Sequence, residues 1–488
     1  MESGSMPPWM PNPDCRELRD AQILEPSALE TVRTWIASGM AVGDPNDTPA
    51  TTLEQPQDLG FEPTHMGTIS EAYTPNLARP DDYRCFILDV EFETDMFLTA
   101  SHIIPDAKTL VHHALIFAIP PHQVDQVMEA DAAEEGQGYT CFGSPILSDG
   151  DNLGGVIADL AGGGIPEQLH VWAPGMLPAI LADDISVPIL KGSKIVMQIH
   201  YSLAGGPLRG DLTAFQMTLQ TEPTAYVVHT KQMGIYDLDI PADEPSAEHV
   251  REFRNYTDHT IEVTSIYPHM HLLGSSIWAE VTRTGGSEEC LIDIPKWDFS
   301  WQQIYGFPEE QPLQLEPGDG IRLHCDYDNS ASNQPLINGE QIEPRDVTWG
   351  EGTLDEMCML WLSIVEPYEP PVEVSSDMAQ CSGAAECLAA CPDGASQADC
   401  LLGCGLSMAC LTCVIPKLLT CSPCAVPFLE QEECFTHCAV NTGILGGHIN
   451  ACLKDTCEEG YSQLISCIDP ALETGLCDAV LDPCGITR

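Results

Sequence analysis

In Lys194-Ile195-Val196-Met197-Gln198-Ile199-His200-Tyr201, apolar residues fill most of the run. Gln198 and His200 fall on one face, because side chains two apart on a strand share a side. A polar pair inside so apolar a strand costs stability unless it is hydrogen-bonded or ligated. Seen alone, it reads as a satisfied buried histidine. Similar short runs recur at Cys85–Phe92, Leu110–Ala118, Thr260–Pro268, Ser276–Arg283 and Gly320–Asp326, separated by Gly, Pro, Asn and Asp. Regular short strands with turn signals between them predict a mainly β fold of sandwiches or barrels. The texture extends from about 67 to 368, too long for one sandwich, so two in tandem are expected, at 67–222 and 223–368.

The flanks differ. Residues 1–45 read as a small helical end-piece: Ser27 and Glu30 fit a capping box, Leu29, Val32 and Ile36 follow at helical spacing, and Gly39 can end the helix. Residues 46–66 and 369–380 read as linkers. Of the 22 cysteines, 16 fall between Cys381 and Cys484, a density that marks a disulfide scaffold and an oxidising compartment. The spacings Cys387/Cys391, Cys400/Cys404 and Cys434/Cys438 place pairs on one helix face. Residues 381–488 are therefore expected to be short helices stapled by disulfides, with a connectivity that sequence does not give. Cys410/Cys413 and Cys421/Cys424 could also be read as a zinc or iron–sulfur site, but the surrounding cysteines favour disulfides.

Seventy-four Asp+Glu stand against 19 Lys+Arg, a formal net charge of -55. Such a field repels nucleic acid and anionic membrane surfaces. No apolar run approaches the ~18 residues of a membrane span.

Three further segments carry candidate chemistry. Leu110-Val111-His112-His113-Ala114-Leu115-Ile116-Phe117 sets two histidines side by side, which on a regular strand point to opposite faces. They can share a metal only if the strand bends or the rings use different nitrogens. Tyr267-Pro268-His269-Met270-His271-Leu272-Leu273-Gly274 places two imidazoles on one strand face, a spacing that suits chelation of Cu, Zn, Fe or Ni. Met357, in Leu354-Asp355-Glu356-Met357-Cys358-Met359-Leu360-Trp361, is core filler in the ordinary case, whereas a thioether ligand would select Cu(I).

In this order, Asp82-Tyr83-Arg84-Cys85-Phe86, Val111-His112-His113-Ala114, Val171-Trp172-Ala173-Pro174-Gly175, Gln198-Ile199-His200-Tyr201, His269-Met270-His271-Leu272-Leu273-Gly274 and Asp355-Glu356-Met357-Cys358 resemble the copper type II, ascorbate-dependent monooxygenases. These include the peptidylglycine α-hydroxylating and dopamine β-monooxygenases. The resemblance implies two eight-stranded antiparallel jelly rolls. It implies an electron-transfer copper held by His112, His113 and His200, and a catalytic copper held by His269, His271 and Met357. It implies disulfides Cys85–Cys141 and Cys325–Cys358, and gives no partner for Cys15 or Cys290. Gln198 and Tyr83 are implied to orient ligands. The implied reaction hydroxylates a C–H bond of a small-molecule substrate with dioxygen, with ascorbate or another one-electron donor reducing both coppers. Tyr267, Met359 and Trp361 stand where peptide-hydroxylating members clamp a substrate carboxylate, so an apolar or aromatic substrate is expected.

Met6-Pro7-Pro8-Trp9, followed by the helix, resembles the tail of a c-type cytochrome with Met6 as axial ligand; it reads equally as a Pro-rich linker in which Met-Pro-Pro-Trp is incidental. No C-x-x-C-H occurs, so this chain attaches no haem covalently. The expectation is that a signal peptide and haem motif lie upstream of Met1, giving a cytochrome-type donor and an extracellular or periplasmic location. The rival reading is a secreted copper-binding or adhesion protein that kept the metal sites without turnover.

Overall fold

The computed structural model describes residues 9–19, 21, 23, 26–42, 60–76, 81–141, 144–146, 166–172, 176, 178–202, 208–337, 340–350, 354–368, 437–438, 441, 449–457 and 462. The first half contributes β1 (His65–Thr68), β2 (Asp81–Ile87), β3 (Met96–Ile104), β4 (Val111–Ile119), β5 (Tyr139–Thr140), β6 (Glu167–Trp172), β7 (Ala179–Ile180), β8 (Ile185–Ile189), β9 (Lys194–Ser202) and β10 (Ala214–Gln220). The second contributes β11 (Tyr226–Gly234), β12 (Asp239–Ile240), β13 (Ala247–Arg254), β14 (Ile261–His269), β15 (Gly274–Thr282), β16 (Glu288–Ile294), β17 (Tyr305–Gly306), β18 (Leu313–Leu315), β19 (Gly320–Tyr327), β20 (Leu336–Ile337), β21 (Glu340–Gln341), β22 (Val347–Thr348) and β23 (Met359–Pro367). The chain is mainly β, as the strand texture predicts.

Two apolar cores form between facing sheets. In the first half, a five-stranded sheet in the order β5-β2-β9-β4-β6 lies over β1, β10, β3 and β8, with Ile116, Ile199, Phe215 and Ile103 between them. In the second, the sheet β13-β19-β15-β16 lies over β11, β23, β14 and β17, enclosing Ile277, Leu323, Ile266 and Leu360. One connection was not expected. β8 pairs in parallel with β11, through Tyr226↔Ile185 and Val227↔Ser186, so a single sheet runs through both halves. Glu167 reinforces this join by accepting hydrogen bonds from the Thr230 backbone at 2.8 Å and meeting His229 Nδ1 at 2.9 Å.

Strand alternation sorts the second half's side chains. Leu360, Leu362 and Ile364 of β23 enter its core. Met359, Trp361 and Ser363 take the opposite face, in register with His269, Tyr267 and Ser265 of β14. Burial of one face thus fixes which residues the other presents toward the first half.

The helix α1 (Pro26–Ala37) starts two residues before the Ala28 that the capping box implies, so Ser27 lies in its first turn. Gly39 does sit at its end, at φ +87°, the left-handed conformation glycine favours. Residues 9–19 are bound to the second half: Asn12 N–H donates to Asp293 O at 2.7 Å, Arg19 N–H to Gly306 O at 2.7 Å, and Cys15 is bonded to Cys290. Both cysteines that had no expected partner are accounted for by this one bridge.

The expected disulfides Cys85–Cys141 and Cys325–Cys358 are present. A second helix, α2 (Val124–Ala133), follows β4, and in the tail Cys438 pairs with Cys452 of a further helix, α3 (Ile449–Thr456). The Asn441 side chain accepts from Arg254 N–H at 2.7 Å and donates to Arg254 O at 2.8 Å, covering the edge of β13. Met6, most of the linkers, Ala173-Pro174-Gly175 and the other tail cysteine spacings lie outside the described residues. Among the described residues no helix is long and apolar enough to cross a membrane.

Candidate metal centres

The problem of two adjacent histidines is solved by a β-bulge. Between β4 and β9, Val111 pairs with Tyr201 and His113 with His200, which leaves His112 as the extra residue. A bulge bends its strand and re-aims side chains. As a result His112 Nδ1 and His113 Nδ1 lie 3.3 Å apart, and His200 Nδ1 lies 3.4 Å from His113 Nδ1. Two nitrogens about 2.0–2.1 Å from one ion at near-tetrahedral angles sit roughly 3.3–3.4 Å apart. Candidate ligand atoms of all three residues lie within 4.8 Å of one another. The rings use the same nitrogen, so the bend alone brings them together.

The site favours the neutral form of His113. Burial first, and then the fields of His200, His112, His269 and His271, hold His113 well below its ordinary pKa. A lone pair that stays unprotonated is what a metal ligand needs. Tyr83 stacks on His200 with ring centroids 4.1 Å apart and planes 9° apart, and meets His113 edge-on at 6.5 Å. It therefore fixes the orientation of two of the three rings. Gln198, fully buried, does otherwise: its amide donates toward Cys141 Sγ at 3.5 Å, behind the histidines at the Cys85–Cys141 bridge.

The second group is assembled from the end of β14 and the approach to β23. Met270 is buried in the core, which turns its neighbours His269 and His271 away from it. Their rings stand 5.0 Å apart and nearly perpendicular. His269 Nδ1 donates to Gln302 Oε1 at 2.5 Å, and His271 Nδ1 donates to the Asp355 carbonyl at 2.9 Å. Both acceptors are amide oxygens, so each ring carries its proton on Nδ1 and its lone pair on Nε2. Burial, and then His271, push His269 down to about 3, with the Gln302 bond pulling the other way.

Buried Glu356 clasps the two segments together. It accepts N–H bonds from His271 at 2.9 Å, Leu273 at 2.6 Å and Met357 at 3.3 Å. Met357 is almost fully buried, its carbonyl accepts from Tyr327 O–H at 2.8 Å, and the residue after it is anchored by the Cys325–Cys358 bridge. Tyr267 and Trp361 border His269, at ring distances of 6.2 and 5.7 Å. Tyr267 O–H donates to Gln302 Oε1 at 3.0 Å, so Gln302 serves both residues. Met359 is fully buried and lies over Gly234, where an added Cβ would come 2.4 Å from its sulfur.

Sequence reasoning missed Gln302 and Phe299. Neither lies in a motif; both sit on the loop after β16, and only the fold carries that loop across the imidazoles. Each donor set fits a soft-to-borderline ion such as copper: three converging imidazole nitrogens in one, and two Nε2 lone pairs beside a buried thioether segment in the other.

No curated protein matches this chain. Among solved structures, the major capsid protein P2 of bacteriophage PM2 aligns at 8% identity and TM-score 0.26, covering 62% of this chain and 98% of that one. A putative secreted protein from Eubacterium rectale aligns at 10% identity and TM-score 0.16, over 59% of this chain and 70% of its own. Similarities that weak carry no argument. Residues 250–385, the part that holds His269, His271 and Met357, match the family model for the C-terminal domain of the copper type II ascorbate-dependent monooxygenases, which supports a copper monooxygenase-like function.

Proposed function

We propose that this chain is a copper-dependent monooxygenase that hydroxylates a C–H bond of a small apolar or aromatic substrate, using dioxygen and ascorbate or another one-electron donor. The observation that carries the reading is the pair of donor groups, each with its nitrogen lone pairs directed by the fold. His112, His113 and His200 would hold the electron-transfer copper through Nδ1. His269 and His271 through Nε2, with Met357, would hold the catalytic copper. When bound, the two ions would supply one-electron transfer and the reduction of dioxygen.

The rest is done by the chain itself. Gln302 and the Asp355 carbonyl hold the two imidazoles in one tautomer. Glu356 fixes the spacing between the histidine loop and Met357. Tyr267 and Trp361 offer an aromatic wall, 5.3 Å ring to ring, that suits a planar or apolar group. We take the two cores to be the two jelly rolls of 67–222 and 223–368. The disulfides fit an oxidising, extracellular or periplasmic setting, where a cytochrome-type protein would serve as donor.

Oxygen uptake and product analysis of copper-loaded protein with ascorbate test this. We expect hydroxylated product from apolar or aromatic compounds, and turnover of a glycine-extended peptide slower by about tenfold or more, the loss of roughly one good contact. Hydrogen peroxide alone across a broad panel would instead identify a copper-binding protein without monooxygenase turnover. Peptide turnover equal to the best alternative would overturn the substrate class.

A further inference from the structure

Phe299 stands between the two groups of imidazoles. Its ring is nearly parallel to that of His112, with centroids 5.9 Å apart and planes 18° apart, and meets His271 edge-on at 6.0 Å and 88°. His112 and His271 therefore cannot be further apart, ring to ring, than these two steps together.

The residue is carried by a segment fixed to the second half. Trp297 N–H donates to Ser275 O at 2.8 Å, and its indole N–H to His271 O at 3.1 Å. Gln302, already held by His269 and Tyr267, donates back to Phe299 O at 3.0 Å. Phe299 opens a one-turn 3-10 helix, Phe299–Trp301, inside this brace. It is a rigid projection from one half whose ring packs on a ligand ring of the other. An aromatic ring that only filled its own half's core would not reach across.

We propose that Phe299 is a positioning residue that wedges between the two metal centres and holds them facing at short range. The role rests on the proposed function for its consequence, though not for the packing. Productive turnover takes R–H, dioxygen, two electrons from the one-electron donor and two protons to R–OH and water. Without timely delivery of the second electron, the same dioxygen, electrons and protons end as hydrogen peroxide. A misplacement of the centres therefore appears as oxygen consumed without product, and shifts of about 1 Å can cost on the order of a hundredfold.

The test compares Phe299→Ala with Phe299→Leu in the full chain. In metal-free protein, amide hydrogen exchange at residues 111–119 reads the packing. In copper-loaded protein, dipolar coupling between the two Cu(II) spins reads their separation, and the ratio of product to oxygen reads the consequence. Phe299→Ala should keep two coppers per chain, speed exchange in 111–119, weaken the spin coupling and lower the product-to-oxygen ratio about tenfold or more. Phe299→Leu should recover part of each. Unchanged exchange and unchanged spin coupling in Phe299→Ala would overturn the proposal. Should Phe299→Ala fail to fold, Phe299→Leu carries the test on the same readouts, with no change in either again counting against it. Fewer than two coppers in the unsubstituted protein would refute the proposed function, while the exchange result still decides the wedge.

Discussion

His269→Ala should bind one copper per chain and form no detectable product. The substitution removes one of three donors and leaves His271 and Met357, too few to hold the ion in the geometry that its neighbours prepare. Loss of an outer partner of a ligand alone typically costs 10–100-fold in affinity or activity, so loss of the ligand itself should exceed about a hundredfold. Little else should change. Gln302 Oε1 still accepts from Tyr267 O–H, and the three-histidine group is built on β4 and β9, in the other half. Metal analysis with Cu(II) spectroscopy should show the three-nitrogen signal retained. Product formation by His269→Ala near the unsubstituted rate would contradict the role given to this residue.

Glu356→Gln should damage the same centre without touching a ligand. The carboxyl is fully buried and uses both oxygens to accept three N–H groups. An amide offers only one accepting oxygen and turns N–H toward backbone N–H. A buried donor left without a partner costs about 1–3 kcal/mol, so the variant should lose roughly that much stability above pH 8, where the carboxyl is ionised, and less below it, where the protonated acid already turns one O–H toward the backbone as the amide turns its N–H. Copper affinity should fall 10–100-fold at the His-His-Met centre only. The pH dependence supplies a separate signature. Burial pushes Glu356 up to about 8 from its ordinary 4.5, against the pull of its N–H donors. Between these values the folded protein of the metal-free form holds a proton that the unfolded chain releases. Its stability contribution is therefore complete below pH 4.5 and is lost as pH rises toward 8. A glutamine cannot titrate, so the metal-free variant should show a flatter decline over that window in thermal melts. An unchanged melting profile and an unchanged affinity would rule out the clasp.

Much of this was readable from local pattern. The run 194–201 became β9 at Lys194–Ser202, and Leu110–Ala118 became β4 at Val111–Ile119, because alternation and β-branched content report burial directly. The imidazoles of His112, His113 and His200 converge as a shared metal requires, yet the device that allows it, a one-residue bulge at His112, depends on pairing with β9 and leaves no mark in the sequence of β4. Cys15 and Cys290 bridge across 275 positions, a partnership that depends on where β16 and the N-terminal segment meet in space. Gln302 and Phe299 are ordinary residues in an aromatic-rich loop that matches no motif, made important by the strands that place that loop over the histidines. The parallel pairing of β8 with β11 was likewise out of reach, since each strand reads the same whether its neighbour lies in its own half or the other.

X-ray absorption of the Cu(I)-loaded protein, with metal counting, asks the central question most directly. Two coppers per chain should bind, with a sulfur scatterer at one of them that disappears in Met357→Leu while the nitrogen shell of the other stays intact. A single copper per chain, or a sulfur signal that survives loss of Met357, would mean that the donors do not form two separate grips.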